Sequence, residues 1–206
     1  MLADNSVHDD TAEPRKFPVL SAVPVPVEEV LENPVPGWSA LTLKSLVTEG
    51  GLFEGPFGSM LKVSDYTTAG VRVIDPDNVG FLTFNEKPEK YISHEKFAAM
   101  TRHGVQTGDL LFSSVVTDEV RSCLLPELPV DAMLRMNCFC IWPLPGLVSR
   151  EYMMIQLCGA VCAGQLRAYA AESGRPTVTM AQLRSILVPV CSAEEQEEIV
   201  RRVRSL

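Results

Sequence analysis

The chain is expected to fold as an α+β domain, a mixed short-stranded sheet domain with packed helices that is followed by a C-terminal helix. Three observations predict this. Short apolar runs bounded by turn residues fill residues 37–142, capped helical segments dominate the last third, and a proline-rich leader precedes both. With 206 residues, 46% hydrophobic and 21% charged, the chain suits one domain with appendages and a real core.

Residues 1–36 hold Asp9, Asp10 and prolines at 14, 18, 24, 26, 34 and 36, which removes most of the segment from regular helix. It reads as an acidic arm or linker, either a flexible leader or an extended Pro24-Val-Pro26-Val strand along a neighbouring surface, with a short helix at Val27–Glu32. From Gly37-Trp38 onward, Leu41–Leu46, Val71–Ile74, Leu110–Val116 and Phe139–Trp142 read as strands. Asp75-Pro76-Asp77-Asn78 is a turn, because Pro sets φ while Asp and Asn bond nearby backbone. Ser93 should cap a helix over His94–Met100 that stops near Gly104.

Ser149 can cap a segment from Arg150 to about Ala171, apolar on most sides. Small residues at Gly159, Ala160, Ala163 and Gly164 suggest close neighbours and leave it open to a break. Ser173-Gly-Arg-Pro176 ends it. Thr179 and Gln182 have capping-box spacing before a short helix, and Ile186-Leu-Val-Pro189 reads as a strand. A second box, Ser192 to Glu195, opens a helix over 191–206 with Ile199, Val203 and Leu206 on one face. That stripe could pack on a partner, continue in a longer helix, or dock on the chain's own domain.

The block Gly51-Leu-Phe-Glu-Gly-Pro-Phe-Gly-Ser-Met-Leu-Lys-Val-Ser-Asp-Tyr66 reads as a buttressed loop. Gly55 and Gly58 mark a bend needing φ freedom, and Phe57, Leu61 and Tyr66 are large enough to anchor it to a core. The six cysteines lack the CxxC pairing of a zinc ribbon and lie in apolar surroundings, so they read as buried, reduced and structural, with no metal or cofactor implied. No P-loop, GxGxxG, HExxH, GxSxG or methyltransferase tetrapeptide is present, and His8, His94 and His103 lack partners at diagnostic spacing. The chain is therefore not expected to be an enzyme. No apolar run approaches the roughly 18 residues of a membrane span, and the cytoplasm is the expected location.

The net charge of −8 is unusual for a free-standing nucleic-acid binder. Its distribution matters more: residues 1–36 carry net −5, residues 37–190 net −2 and residues 191–206 net −1. A nearly neutral body implies weak DNA binding unless its basic residues share a face or a partner adds charge.

Taken in order, several segments resemble the target-recognition domain of type I restriction-modification specificity subunits. Pro36-Gly37-Trp38 with Leu41 and Leu43 resembles the family's PxGW opening. Gly55-Pro-Phe-Gly-Ser59, Leu61-Lys62 and Ser64-Asp65-Tyr66 resemble GPFGSxLKxSDY, and Gly70-Val-Arg-Val-Ile74 with Asn78-Val79 resembles GxPVIxxxNI. Tyr91-Ile-Ser93 with Glu95-Lys96, Val105-x-x-Gly108-Asp-Leu-Leu-Phe112-Ser113, and a close of Leu187-Val188-Pro189 leading to Glu195-Gln196 and Ile199-Val200 follow in turn. Each word is weak alone; six in the right order identify the family. The resemblance spans about 37–206, with a recognition-like domain over 37–190 and the start of a spacer or dimerisation helix over 191–206.

Three departures stand out. The family's glycine-containing turn is replaced by Val115-Val-Thr-Asp-Glu-Val120, its polar Asn-Gln segment by Arg135-Met-Asn-Cys-Phe-Cys140, and its Thr-Gln dipeptide by Arg175-Pro-Thr-Val-Thr179. The resemblance implies a non-catalytic reader of double-stranded DNA that directs an adenine DNA methyltransferase subunit and a motor nuclease. With one such domain, it would self-associate or sit beside a second recognition domain. Lys62, Arg72, Lys87, Lys90, Arg121, Arg135 and Arg175 are the candidate DNA contacts, expected to be exposed, with Arg175 favoured by its loop position. Ile199, Val203 and Leu206 are the candidate partner helix face. The alternative is a recognition fold reused as a protein-interaction or assembly subunit with weakened or lost DNA reading.

Overall fold

A computed structural model describes residues 35–174 and 176–206; the expected arm, its Val27–Glu32 helix and Arg175 lie outside them. Side-chain alternation along the strands organises everything else. The central sheet is antiparallel, in the order β2 (Val47–Glu54), β10 (Cys138–Pro143), β7 (Leu110–Ser113), β8 (Ser122–Leu124). Leu110, Phe112, Phe139 and Ile141 face one side, while Leu111, Cys138 and Cys140 face the other. Period-two alternation thus puts the Phe112 and Phe139 rings on one face and the Cys138 and Cys140 thiols on the other.

The large-residue face meets the helices. Helix α2 (Arg150–Cys158), α3 (Ala160–Ser173) and α4 (Met180–Ser185) contribute Tyr152, Met153, Leu157, Cys162, Leu166 and Leu183 to one core with Phe112 and Phe139. Each fully buried large apolar side chain there contributes about 1.5–3 kcal/mol. The long apolar segment breaks at Gly159, in extended backbone, into α2 and α3. Strand β11 (Leu187–Val190) pairs with β1 (Ser39–Thr42), and the Gln165 amide of α3 completes its other edge by accepting from Leu187 N and donating to its carbonyl, both at 2.8 Å. The expected strand over Leu41–Leu46 is shorter: after Thr42 the chain turns into a 3-10 segment, which buries Leu43 and Leu46 instead of alternating them.

The small-residue face packs on a second sheet, β3 (Tyr66–Thr67), β5 (Tyr91–Ile92), β4 (Val71–Ile74), β9 (Ala132–Leu134), β6 (Gly104–Val105) in spatial order. Cys123, Cys138 and Cys140 fill this sheet-to-sheet layer against Ile74, Ala132 and Leu134. All six cysteines are buried free thiols; burial pushes Cys123 and Cys158 up to about 12, which keeps them unreactive. The outer face, with Val71, Val73, Ile92 and Met133, is covered by Leu61, Tyr66 and helix α1 (His94–Ala98), capped by Ser93 as expected.

The C-terminal helix α5 (Ala193–Arg204) docks on its own domain. Ile199 and Val200 pack on the helical core, and the buried Gln196 side chain ties Ser149 N, Leu147 O and Cys191 O together. Val203 is half-buried and Leu206 exposed, so the expected partner stripe divides, its first residue serving the core. Glu198 pairs with both Arg201 and Arg202. Among the described residues, no helix is long and apolar enough to cross a membrane.

The 51–66 block corrects two expectations. Neither Gly55 nor Gly58 takes a positive φ; Gly55 is required because a Cβ there would lie 2.2 Å from the Arg135 carbonyl oxygen. Leu61 and Tyr66 anchor the loop, but Phe57 is 72% exposed. Gly55→Ala should therefore destabilise the domain by about 1–3 kcal/mol, whereas Gly58→Ala, whose Cβ would meet only Met136 at ordinary distance, should change the urea midpoint little.

Candidate nucleic-acid interface

Strands β4 and β9 run parallel, with Ile74 opposite Leu134. Their C-terminal ends therefore lie side by side, and the next residues, Asp75 and Arg135, meet. Asp75 also begins the turn expected from its sequence: it caps a 3-10 segment, accepting from Asp77 N while Asn78 Oδ1 accepts from Asp75 N at 2.9 Å. The Asp75 carboxylate, 4% exposed, accepts from Arg135 Nη1 at 2.6 Å and Lys90 Nζ at 2.7 Å. Burial alone would raise its pKa, but these two cations outweigh burial and hold it below the usual carboxylate range.

Five of the seven candidate DNA contacts gather around this turn. Arg135 and Lys90 bind Asp75, and Arg121 reaches Ser113 Oγ at 3.2 Å and Asp77 at 3.9 Å. Arg72 donates to the Glu86 and Pro88 carbonyls at 2.5 and 3.2 Å, with its guanidinium 5.5 Å from the Tyr91 ring centroid. Lys87, well exposed, pairs with Glu89 at 2.6 Å. Lys62 is exposed on the neighbouring loop, where its backbone N–H donates to Asp65.

Arg72 departs from expectation. It is 4% exposed because it sits in a strand flanked on both sides, between Val71 and Val73, which face the outer cluster, and it points to the Ile74 side under the 86–88 loop. Its side chain supports that loop from beneath.

Other loops end at the same place. Ser113 pairs with Cys138 and Glu54 with Phe139, so the segments after β2 and β7 and the turn before β10 share one end of the central sheet. Val115 bridges to Thr177, and Val116 N donates to Pro176 O, which brings the residues after α3 beside them. The glycine-free 115–120 loop exposes Asp118 and Glu119 here.

This arrangement of two stacked sheets with helices on one face was compared with known proteins. No protein-family model matches the chain, and no curated protein matches it in sequence. Solved structures do match. A structure describing complex assembly and conformational transition of the type I R-M system aligns with TM-score 0.56 at 17% identity, over 84% of this chain and 39% of that one. The HsdS subunit from Thermoanaerobacter tengcongensis aligns with TM-score 0.55 at 16% identity, over 87% and 40%. The chain has a specificity-subunit-like fold. It spans about two fifths of those structures, and the type I S subunit from M. genitalium aligns similarly, with TM-score 0.51 and 11% identity over 87% and 41%.

Within the specificity-subunit-like fold, the Gly108-Asp109 word has a structural meaning. Gly108 takes φ +80, and Asp109 accepts from Gln106 N at 2.9 Å and Trp142 Nε1 at 3.0 Å. Gln106, Asp109 and Trp142 help to line an open cleft of about 770 Å³ with Phe53, Arg102, His103 and Arg150. His103 donates through Nδ1 to the Glu54 carbonyl at 2.7 Å, so its Nε2 accepts from Arg102 Nε at 3.0 Å. That pattern requires a neutral ring. Burial, reinforced by the Arg102 charge, depresses its pKa despite the Glu54 bond. No group of His, Cys, Asp and Glu placed to hold a metal occurs among the described residues.

Missed by sequence reasoning were Asp75 as the anchor of the basic group, Glu54 as a clamp on Asn137 N at 3.2 Å, and the exposed Phe57 and Met136. The capping pattern of Asp75 was visible, but its cationic partners are 15 and 60 residues away.

Two pH windows follow. Asp75→Asn keeps the turn acceptor but leaves Lys90 and Arg135 without their carboxylate; it should cost about 1–2 kcal/mol at neutral pH, discounted for the partly exposed cations. Because the folded pKa is depressed, this stabilisation is present above about pH 3.9 and lost as pH falls through the folded value. The variant's urea midpoints should therefore converge with wild type in acid. A depressed His103 acts on a higher window: the unfolded chain takes up its proton below about pH 6.5 before the folded one does. Stability should be full above pH 6.5 and decline on acidification toward the folded pKa, and His103→Gln, which can donate and accept in the same way, should remove that slope.

Proposed function

We propose that this chain is a non-catalytic DNA sequence-recognition subunit of a restriction-modification or related bacterial defence complex, directing a partner methyltransferase or nuclease to its target. The observation that carries the reading is the clustering of Arg135, Lys90, Arg121 and Lys87 where the loops meet, on a specificity-subunit-like fold. Asp75 uses one of the five N–H donors of Arg135 and leaves that group pre-oriented for phosphate. The carboxylates at this end keep non-specific affinity low, so a partner subunit supplies much of the phosphate neutralisation.

Exposed Asp118 and Glu119 at the same end favour a second reading, a recognition fold used as a protein-assembly subunit, and the same measurement separates the two. Fluorescence anisotropy with random-sequence duplexes, for the chain alone and with its co-purifying subunits, should show binding that weakens from about 50 to 200 mM salt. Arg135→Ala and Lys90→Ala should each weaken it uniformly across sequences and reduce the salt slope by about 1. Absence of duplex binding in both forms would sink the DNA reading.

A further inference from the structure

Three charged residues are carried by the end of one strand. Lys90 O accepts from Val73 N at 2.8 Å, Arg135 N donates to Ile74 O at 2.9 Å, and Asp75 is the next residue of that same segment. Asp75 is locked in turn by Asn78, fully buried, whose Oδ1 takes its N–H while the Asn78 amide nitrogen donates to the Asn85 and Pro88 carbonyls at 2.8 and 3.0 Å. Hydrogen bonds to the backbone thus fix where all three side chains start.

The two cations meet on a single atom. Arg135 Nη1 lies 2.6 Å and Lys90 Nζ 2.7 Å from the same Asp75 oxygen, Oδ2. Donors so placed are close enough for one phosphate group to span, and like charges that close repel each other unless an anion sits between them. Asp75 is that anion. Charge at this end is mixed, since Glu54, Asp77, Glu89, Asp118 and Glu119 are also here. Yet Asp77 and Glu89, the carboxylates beside Arg121 and Lys87, are exposed and can turn into water when a phosphate arrives. Asp75, buried and fixed by its turn, stays.

A polyanion meets this group in two ways. In any register the fixed negative charge weakens its attraction. In the one register that sets a phosphate on the paired donors, the two are already held together, so the ordering cost of the contact is low. Base contacts discriminate best when phosphate contacts fix the register of the protein on the duplex.

We propose that Asp75 is a positioning residue of the DNA interface, gathering Arg135 and Lys90 into a clamp for one backbone phosphate and so tying binding to one register. Without it the two cations separate, and the long Lys90 side chain reaches phosphates in many registers. The inference rests on the DNA-recognition reading above and adds a residue that opposes binding to most duplexes while it sharpens the choice among them.

The test uses the full chain with any co-purifying subunits. Selection from a random-sequence duplex pool supplies a preferred duplex, and preferred and random duplexes are then titrated between about 50 and 200 mM salt. Asp75→Asn should bind random duplex roughly three- to tenfold more tightly at the lowest salt, with a salt slope steeper by about 1, the opposite of what loss of Lys90 or Arg135 does. Its gain on the preferred duplex should be smaller, so that preference falls about threefold or more. Asp118→Asn, the same change of charge at the same end, should leave preference intact. Should Asp75→Asn fold poorly, its combination with Lys90→Gln removes the repulsion and keeps the wild-type net charge; this double variant should bind random duplex as wild type does and still lose the preference.

An equal gain on both duplexes, or the same loss of preference in Asp118→Asn, would make Asp75 a charge and nothing more. Weaker or unchanged binding to both would leave it a turn residue. Either result overturns the inference, as does a wild type that binds the pool but enriches nothing, and DNA binding then still stands. If wild type binds no duplex, the functional reading falls and takes the inference with it.

Discussion

The parallel pairing of β4 with β9 is the constraint on which the Asp75–Arg135 cluster depends. Among the described residues, the other strand pairings of these sheets are antiparallel, and an antiparallel neighbour would place the end of one strand beside the start of the other. Because these two run the same way, Asp75 and Arg135 leave the sheet together, sixty residues apart in sequence. Parallel neighbours need a long crossover. Here residues 75–131 supply it, and they contain the Asp75 turn, Lys90, β7 and Arg121.

Asp75 then acts as a buried counter-ion with two exposed-side partners. Taking its carboxylate out of water is unfavourable, and two charge-assisted hydrogen bonds offset that. One consequence is geometric: the cations are held at a fixed place on the surface instead of sampling many rotamers. The other is electrostatic, since each paired cation presents less charge to a distant polyanion. Placement is gained and long-range attraction is given up.

The double-sheet layer explains why residue types that look unremarkable are where they are. Cys138 and Cys140 alternate with Phe139 and Ile141, so these strands send their thiols into the layer between the sheets and Phe139 and Ile141 to the layer beneath the helices. Thiols there are packing groups of small volume. The same alternation buries Arg72: on a strand with neighbours on both edges and layers on both faces, even a guanidinium must find internal acceptors, and the 86–88 carbonyls supply them.

Local chemistry made much of the fold legible in the sequence. Caps at Ser93, Ser149, Thr179 and Ser192 act within three residues, the Asp75–Asn78 turn closes on itself, and strand periodicity needs only the strand. Hence the α+β class, the ordered motifs and the specificity-subunit-like architecture could be inferred from the chain. What only the tertiary structure decided depends on partners distant in sequence: that Gly55 faces the Arg135 backbone, that Phe57 projects outward, that Arg72 is enclosed, that Ile199 serves its own core, and that two cations, 15 and 60 residues from Asp75, meet at its carboxylate. A one-dimensional pattern specifies which face a residue occupies; which neighbour waits on that face is set by strand order and direction, and those are properties of the assembled sheet.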